Sequence, residues 1–315
     1  MGDIGGTHAR FALVHSGFGP PELIAPHSYL CSAFSSAEDA VSAYLVEHQQ
    51  GARPSSAVLA VAGPIIDGSI AFTNTDWRIS EGAFSSAIKL DSTKLVNDYA
   101  ALALAVPLLG GVDTEVVGPD TPGRAQGTVA ILGAGTGFGV SALVRDGVRE
   151  AVLTTEGGHI SLAPADELEV EIWRILTARY GRVSVERILS GPGLLELHQI
   201  LAEIEGSVVS GATPGDVTRE ADAGSPLAIR TLEIFCGILG SVAGDFALAY
   251  GAQGGVYLAG GVSKHLLFYL KRGGFRERFE NKGRFAPYLR DIPTRVIPNP
   301  HTVAMMGAAR ALNGA

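Results

Sequence analysis

Gly2-Asp3-Ile4-Gly5-Gly6-Thr7 opens the chain, and Gly133-Ala134-Gly135-Thr136-Gly137 matches it far downstream. Each stretch sits where a short apolar strand turns back on itself, and each places a Thr directly after a Gly. A hairpin without bulky side chains at its tip lets backbone N–H groups and the Thr hydroxyl approach an anion closely. One such turn alone is most often a plain hairpin. Two of matching form can grip a polyphosphate from two sides, which points to a nucleotide held between two related domains.

Other phosphate-binding patterns fit poorly. No Gly-Lys dipeptide occurs, so there is no Walker A loop. Gly133, Gly135, Gly137 and Gly139 recur at every second residue, a spacing that suits strands rather than the helix-opening dinucleotide turn.

Composition narrows the class further. With 315 residues the chain has room for two domains, and at 46% hydrophobic and 18% charged it can bury a large core. The formal net charge of −8, with no basic run that could track a phosphate backbone, excludes nucleic acid as an expected partner. Cys31 and Cys236 form no C-x-x-C pair, so reduced thiols in a cytoplasmic protein are expected, with neither a disulfide nor a cysteine-built metal framework. No signal peptide or membrane span is expected; the apolar stretch from Ala100 to Gly111 contains Pro107 and is too short. The first turn begins at residue 2, so the strand that should lead into it is expected to be missing, either because the natural start lies upstream or because the sequence is trimmed.

The coarse pattern is mixed α/β, laid down twice. In the first half, strands are expected at Arg10 to Val14, Ala57 to Ala62 and Leu95-Val96. A helix opens with the capping box Ser35-Ser36-Ala37-Glu38, and an apolar helix covers Ala100 to Leu109. Val116 to Gly118 reads as a connection between domains. In the second half, Thr128 to Leu132, Phe138 to Val144 and Val148 to Leu153 read as strands. Helices follow at Asp166 to Tyr180, Ser184 to Leu189, Gly193 to Ala202 and Ser225 to Tyr250, with Thr213-Pro214-Gly215-Asp216 opening another. Gly255 to Ala259 and Thr294 to Ile297 are further strands, and Thr302 to Leu312 is a last helix.

Four places along the chain carry candidate chemistry. Asp98 lies at the C-terminal end of a strand, where ligands bind in open α/β sheets, and next to Asn97 it could take a proton from a hydroxyl. The alternative is that Asp98 merely caps the following helix. Glu156-Gly157-Gly158-His159 can turn an acid and an imidazole the same way toward polyol hydroxyls; a structural turn is the plainer alternative. Glu186 reads by default as an exposed helical acid, paired with Arg182 one turn back. Gly260-Gly261 follows an apolar strand and could let an adenine ring lie on bare backbone, or could simply be a tight strand-to-helix turn.

Taken together these residues resemble the bacterial glucokinase family of the hexokinase–actin-like ATPase superfamily, over essentially the whole chain. Gly2, Asp3, Ile4, Gly5, Gly6 and Thr7 are similar to the first phosphate motif. Gly133, Gly135, Thr136 and Gly137 are similar to the second, and Gly260 with Gly261 to the adenosine motif. Val96-Asn97-Asp98-Tyr99 resembles the sugar-site segment whose Asp is the catalytic base. Glu156, Gly157, Gly158 and His159 resemble a further sugar segment, as do Glu186-Arg187-Ile188-Leu189-Ser190-Gly191-Pro192-Gly193. Thr73-Asn74 with Trp77 resembles a less specific one. The related repressor–kinase family carries a cysteine-rich zinc segment that this chain lacks, so the resemblance is to the zinc-free group.

The resemblance implies two ribonuclease H-like domains around a central cleft. The smaller is expected to span 1–109 plus 299–315 and the larger 110–298. It implies transfer of the ATP γ-phosphate to O6 of D-glucose, with Asp98 as base. Asn97, Glu156, His159 and Glu186 would hold sugar hydroxyls, and Asp3 would orient Mg2+ through water. It also implies a cytoplasmic homodimer whose domains close on the sugar to exclude water. Two rival classes remain at this point. A sugar-responsive regulator would need a DNA-binding arm ahead of residue 2, and a nucleotide-driven assembly protein would not need Glu156, His159 and Glu186.

Overall fold

The structure, a computed structural model, describes residues 1–15, 21–49, 51, 53–72, 75–147, 149–209 and 211–312. The chain forms two units. One comprises Met1–Gly110, Glu150–Thr154 and Asn299–Ala315, the other Gly111–Arg149 and Thr155–Pro298.

In the first unit, strands β1 (Gly2–Ile4), β2 (His8–Leu13), β3 (Ile24–Leu30), β4 (Ser56–Val61) and β5 (Ser92–Asn97) form a sheet in the order β3-β2-β1-β4-β5. β1 runs antiparallel to β2 and parallel to β4, and β4 runs parallel to β5. The leading strand expected to be absent is therefore present: Gly2-Asp3-Ile4 forms it, at the centre of the sheet. Gly2 packs closely there: a Cβ would lie 2.8 Å from the Leu59 side chain and 3.1 Å from Phe11, so the Leu59 side chain would have to shift. Ile4, Phe11, Leu59, Phe84 and Ile79 lie in the core of this unit.

The helix Ala37–His48 is capped by Ser36, whose hydroxyl accepts from Asp39 N at 3.1 Å; the expected box on Ser35 is displaced by one residue. Helix Asp98–Ala105 follows β5 directly, two residues earlier than expected, and Pro107 confines the rest to a short 3-10 turn, Val106–Leu108. The helix Pro300–Leu312 packs on it so tightly that a Cβ on Gly307 would overlap the Ala101 carbonyl oxygen.

The second unit repeats the plan. β6 (Glu115–Val116), β7 (Val129–Ala134), β8 (Phe138–Asp146), β9 (Gly255–Leu258) and β10 (Thr294–Val296) run in the order β8-β7-β9-β10-β6. β7 and β8 form an antiparallel hairpin, and β7 pairs parallel with β9, as β1 does with β4. Even the bond after each strand recurs: Ala62 N donates to Ile4 O at 3.3 Å, and Ala259 N to Leu132 O at 2.9 Å. Val116, expected to open a connection running to Gly118, instead ends an edge strand, Glu115–Val116, antiparallel to β10. Strand Arg149–Thr155 follows β8, and its residues Glu150–Thr154 count with the first unit.

Helix Pro226–Tyr250 is long and apolar enough to cross a membrane by length and composition, contrary to the expectation that no stretch of the chain is. In the fold, 67% of its most apolar window is buried, as in the core helix of a globular unit. Phe235, Leu239 and Phe246 on it each contribute about 1.5–3 kcal/mol by burial. Cys31 and Cys236 are free and buried.

Candidate functional site

In the first unit, β5 ends at Asn97 and a helix begins at Asp98. The cap is Asn97: its Oδ1 accepts from Tyr99 N and Ala100 N, both at 3.1 Å. The capping alternative for Asp98 thus belongs to its neighbour. Asp98 is the first helical residue, and its own Oδ1 accepts from Tyr99 N at 3.0 Å. The Tyr99 amide and the helix N-terminus favour a carboxylate. Burial and then the negative charge of Asp3 outweigh them, pushing the Asp98 carboxyl up to about 7. A group with that value near neutrality is suited to accept a proton.

Asp3 is 6% exposed on the central strand. Its Oδ2 lies 2.7 Å from His301 Nδ1 and 3.2 Å from Arg10 Nη1. Neither partner stands out in the sequence. Arg10 is in register with Asp3 across the β1–β2 hairpin. His301 lies 298 positions away, and its only local sign is Pro300 at a helix start.

Gly2, Asp3 and Ile4 belong to the strand, so the tip of the first turn consists of Gly5, Gly6 and Thr7. Gly5 N donates to His8 O at 3.0 Å and is spent inside the turn. Cys31 steadies the same turn: its N donates to Thr7 O at 2.9 Å and its Sγ to Gly5 O at 3.5 Å. Among the described residues, the amides of Gly6 and Thr7 carry no backbone partner, and Thr7 is exposed.

The second unit gathers the other candidates. Gly133 allows β7 to run past the Ala259 carbonyl, which a Cβ would overlap. Gly135 faces open space at its Cβ position, but its N–H donates to Gly137 O at 2.8 Å. Thr136 is exposed at the tip. Glu186 is neither a solvated acid nor an Arg182 partner. Its Oε2 accepts from Phe138 N at 2.8 Å and occupies the place where a Cβ on Gly137 would fall. Arg182 instead donates to the His159 carbonyl and, at 3.4 Å, to Ser161 Oγ.

Glu156 and His159 flank a single 3-10 turn, closed by His159 N donating to Glu156 O at 3.0 Å. The two glycines are forced by packing: a Cβ on Gly157 would lie 2.8 Å from Phe246, and one on Gly158 would overlap the Phe138 carbonyl. Both polar side chains therefore face outward and are exposed. Val185 N donates to Ile160 O at 2.9 Å, and Gly191 N to Gly135 O at 2.8 Å. Hydrogen bonds thus tie the Glu156–His159 turn, the Glu186 helix and the Gly135–Gly137 turn into one assembly.

Gly260 adopts φ 87°, ψ 156°, a conformation that demands glycine, and Gly261 faces open space. Two residues on, the buried Ser263 Oγ has no hydrogen-bond partner among the described residues. Trp77 is 3% exposed and donates to Phe34 O at 3.3 Å, which is a core role. Thr73 and Asn74 lie outside the described residues.

A family model described as Glucokinase matches residues 1–315. A glucokinase of Caulobacter sp. (strain K31) is 50% identical over 99% of this chain and 94% of its own length. The crystal structure of a glucokinase from an Antarctic psychrotroph superposes with a TM-score of 0.87 at 35% identity, covering 100% of this chain and 98% of that one. A ROK family glucokinase from Streptomyces griseus, solved in complex with glucose and AMPPNP, shares the fold at a TM-score of 0.67 and 19% identity, over 98% and 97% of the two chains.

Proposed function

The chain belongs to the glucokinase family, and on that premise we propose how its own residues carry the γ-phosphate of ATP to O6 of D-glucose. The fold is the two-domain actin-like ATPase fold of these sugar kinases, and the protein is an ATP-dependent hexose kinase.

Asp98 accepts the proton of the 6-hydroxyl as that oxygen attacks phosphorus in line. The observation that carries this assignment is its position at the end of β5, with a carboxyl held near 7 by burial and by Asp3. At that value it is ionised in a large share of molecules at neutral pH and still basic enough to take the proton. Asn97 spends its Oδ1 on the helix amides, so its Nδ2 is the group it offers to a sugar oxygen. Glu156 and His159, exposed on their turn, hydrogen-bond further hydroxyls. Glu186 serves two ends, since one carboxylate oxygen holds Phe138 N and the other is offered to the sugar. Unpaired polar groups in such a site penalise an analogue lacking one hydroxyl by up to about 10⁴-fold.

Phosphoryl transfer asks the protein mainly for positioning and charge neutralisation. Thr7 and Thr136, with the amides of Gly6, Thr7 and Thr136, hold phosphate oxygens. Gly260 and Gly261 receive the adenosine, with Ser263 Oγ as a buried hydroxyl in want of a partner. Mg2+ fits Asp3: the hydrogen bonds to this carboxylate among the described residues fall on Oδ2, which leaves Oδ1, a hard oxygen, for a hydrated cation. When bound, Mg2+ supplies positive charge against the phosphates. A homodimer working in the cytoplasm completes the proposal, on the strength of the family.

The test is ADP release with Mg-ATP and a panel of hexoses against a sugar-free control. Release that depends on glucose and is weak with fructose and galactose is the expected result. Equal rates with mannose or fructose would make the chain a broader hexose kinase, and sugar-independent release would overturn the roles given to Glu156, His159 and Glu186.

A further inference from the structure

We propose that His27, Glu47 and His48 form a binding site for a borderline transition-metal cation, Zn2+ foremost, which clips the edge strand of the first unit to its helix. His27 lies on β3, the outermost strand of that sheet, and Glu47 and His48 end the helix Ala37–His48. The site shares no residue with the phosphate turns or with Asp98, and it owes nothing to a cysteine-rich zinc segment, which this chain lacks.

Three observations carry it. One ligand atom from each residue can be chosen such that all three lie within 4.8 Å of one another. A tetrahedral zinc with bonds near 2.1 Å needs its ligand atoms about 3.4 Å apart, and Glu47 Oε2 and His48 Nε2 already stand at 3.5 Å. The His27 and His48 rings lie beside each other with centroids 4.9 Å apart, so a small rotation brings the third ligand in.

The second observation is an orphan. His48 Nε2 is buried yet has no hydrogen-bond partner among the described residues. A buried ring nitrogen that stands 3.5 Å from a carboxylate oxygen yet makes no hydrogen bond is poorly satisfied, and a cation bound between the two removes the cost. Thirdly, the carboxylate is already oriented from outside the triad: Tyr29 Oη donates to Glu47 Oε2 at 2.8 Å. Partners of this kind around a ligand fix its geometry and raise metal affinity. The donor set, two imidazoles and a carboxylate, selects Zn2+, Cu2+ or Ni2+ over Mg2+. Positive charge is also favoured at the C-terminal end of a helix, where these residues sit.

The edge strand explains why such a clip would matter. Among the described residues β3 pairs on one side only, with β2, and its residues Pro26, His27 and Ser28 are exposed. A metal joining His27 to the helix end ties the strand down by side chains where, among the described residues, no further strand does so by its backbone.

The experiment titrates the full chain with Co2+, in the absence of nucleotide and sugar, and follows the visible absorption of a tetrahedral centre. The expected result is saturation at one Co2+ per chain, displacement by Zn2+ but not by excess Mg2+, and at least about a tenfold loss of affinity in His27→Gln and in His48→Gln. His27 is exposed, so His27→Gln keeps the fold, and circular dichroism checks that it does. Absence of binding below about 1 mM, or binding that both substitutions leave unchanged, would overturn the proposal. The readout is metal binding alone, so it stands or falls independently of the kinase assignment.

Discussion

His301 Nδ1 lies 2.7 Å from Asp3 Oδ2, joining the first strand of the chain to the start of its last helix. Arg10 reaches the same oxygen at 3.2 Å. Asp3 is thereby held in place, close enough to Asp98 for its charge to raise the Asp98 carboxyl. The two acids divide the work by environment: Asp3 is held by His301 and Arg10, and Asp98 is pushed toward neutrality.

Removing the Asp3 charge should relax Asp98. In Asp3→Asn the carboxyl of Asp98 is expected to titrate at lower pH, because burial remains but the like charge is gone. The acid limb of kcat/KM for glucose, near pH 7 in the wild type, should move down even as the rate falls through the loss of the cation site. A pH profile of the free enzyme measures this. An unmoved limb would remove Asp3 as a cause.

The raised Asp98 also bears on stability. Its folded value of about 7 exceeds the ordinary 3.8, so the folded state binds the proton more tightly than the unfolded state. The sign follows: stability falls as pH rises through the window from about 4 to 7. Asp98→Asn keeps the shape and removes the charge, so it should be more stable than wild type at pH 8 by on the order of a few kcal/mol. Near pH 4 the gain should vanish. Thermal midpoints at the two pH values decide it.

Glu186 gives a separable pair of variants. Glu186→Gln retains an oxygen that can accept from Phe138 N, so it should raise KM for glucose while largely sparing KM for ATP. Glu186→Ala strips the acceptor from the second phosphate turn. It should raise both constants, ATP by about tenfold or more, in line with a lost hydrogen bond to a charged group. Steady-state kinetics with each substrate varied would show the split.

Two glycines of one motif should behave oppositely. Gly133→Ala drives a Cβ into the Ala259 carbonyl and should cost about 3 kcal/mol or more, or abolish folding. Gly135→Ala meets open space and should leave urea unfolding near wild type while weakening ATP binding, since its added methyl faces the solvent side of the turn. Equal stability losses would contradict the roles assigned to them.

Much of the fold was legible because its signals are local. The matched glycine turns, the apolar strands beside them and Thr213-Pro214 at a helix start each act within a few residues. Either serine satisfies the pattern, and it is Ser36, extended immediately before the helix, whose hydroxyl accepts from Asp39 N. Glu115–Val116 is too short to read as a strand, and its partner lies far along the chain. The candidate site divides the same way. Asp98, Glu156 and His159 stand out through their neighbours in sequence. The hold of His301 on Asp3 and of Glu186 on Phe138 depends on tertiary contacts between distant residues, and no spacing along the chain encodes them.

The most direct test of the central claim is the Asp98→Asn enzyme, measured for kcat and for glucose binding in the same preparation. A fall in kcat of about 10²–10⁴-fold, with glucose affinity kept within a few fold, is the predicted result for loss of a general base. Near-native turnover would contradict it and remove Asp98 from the chemistry.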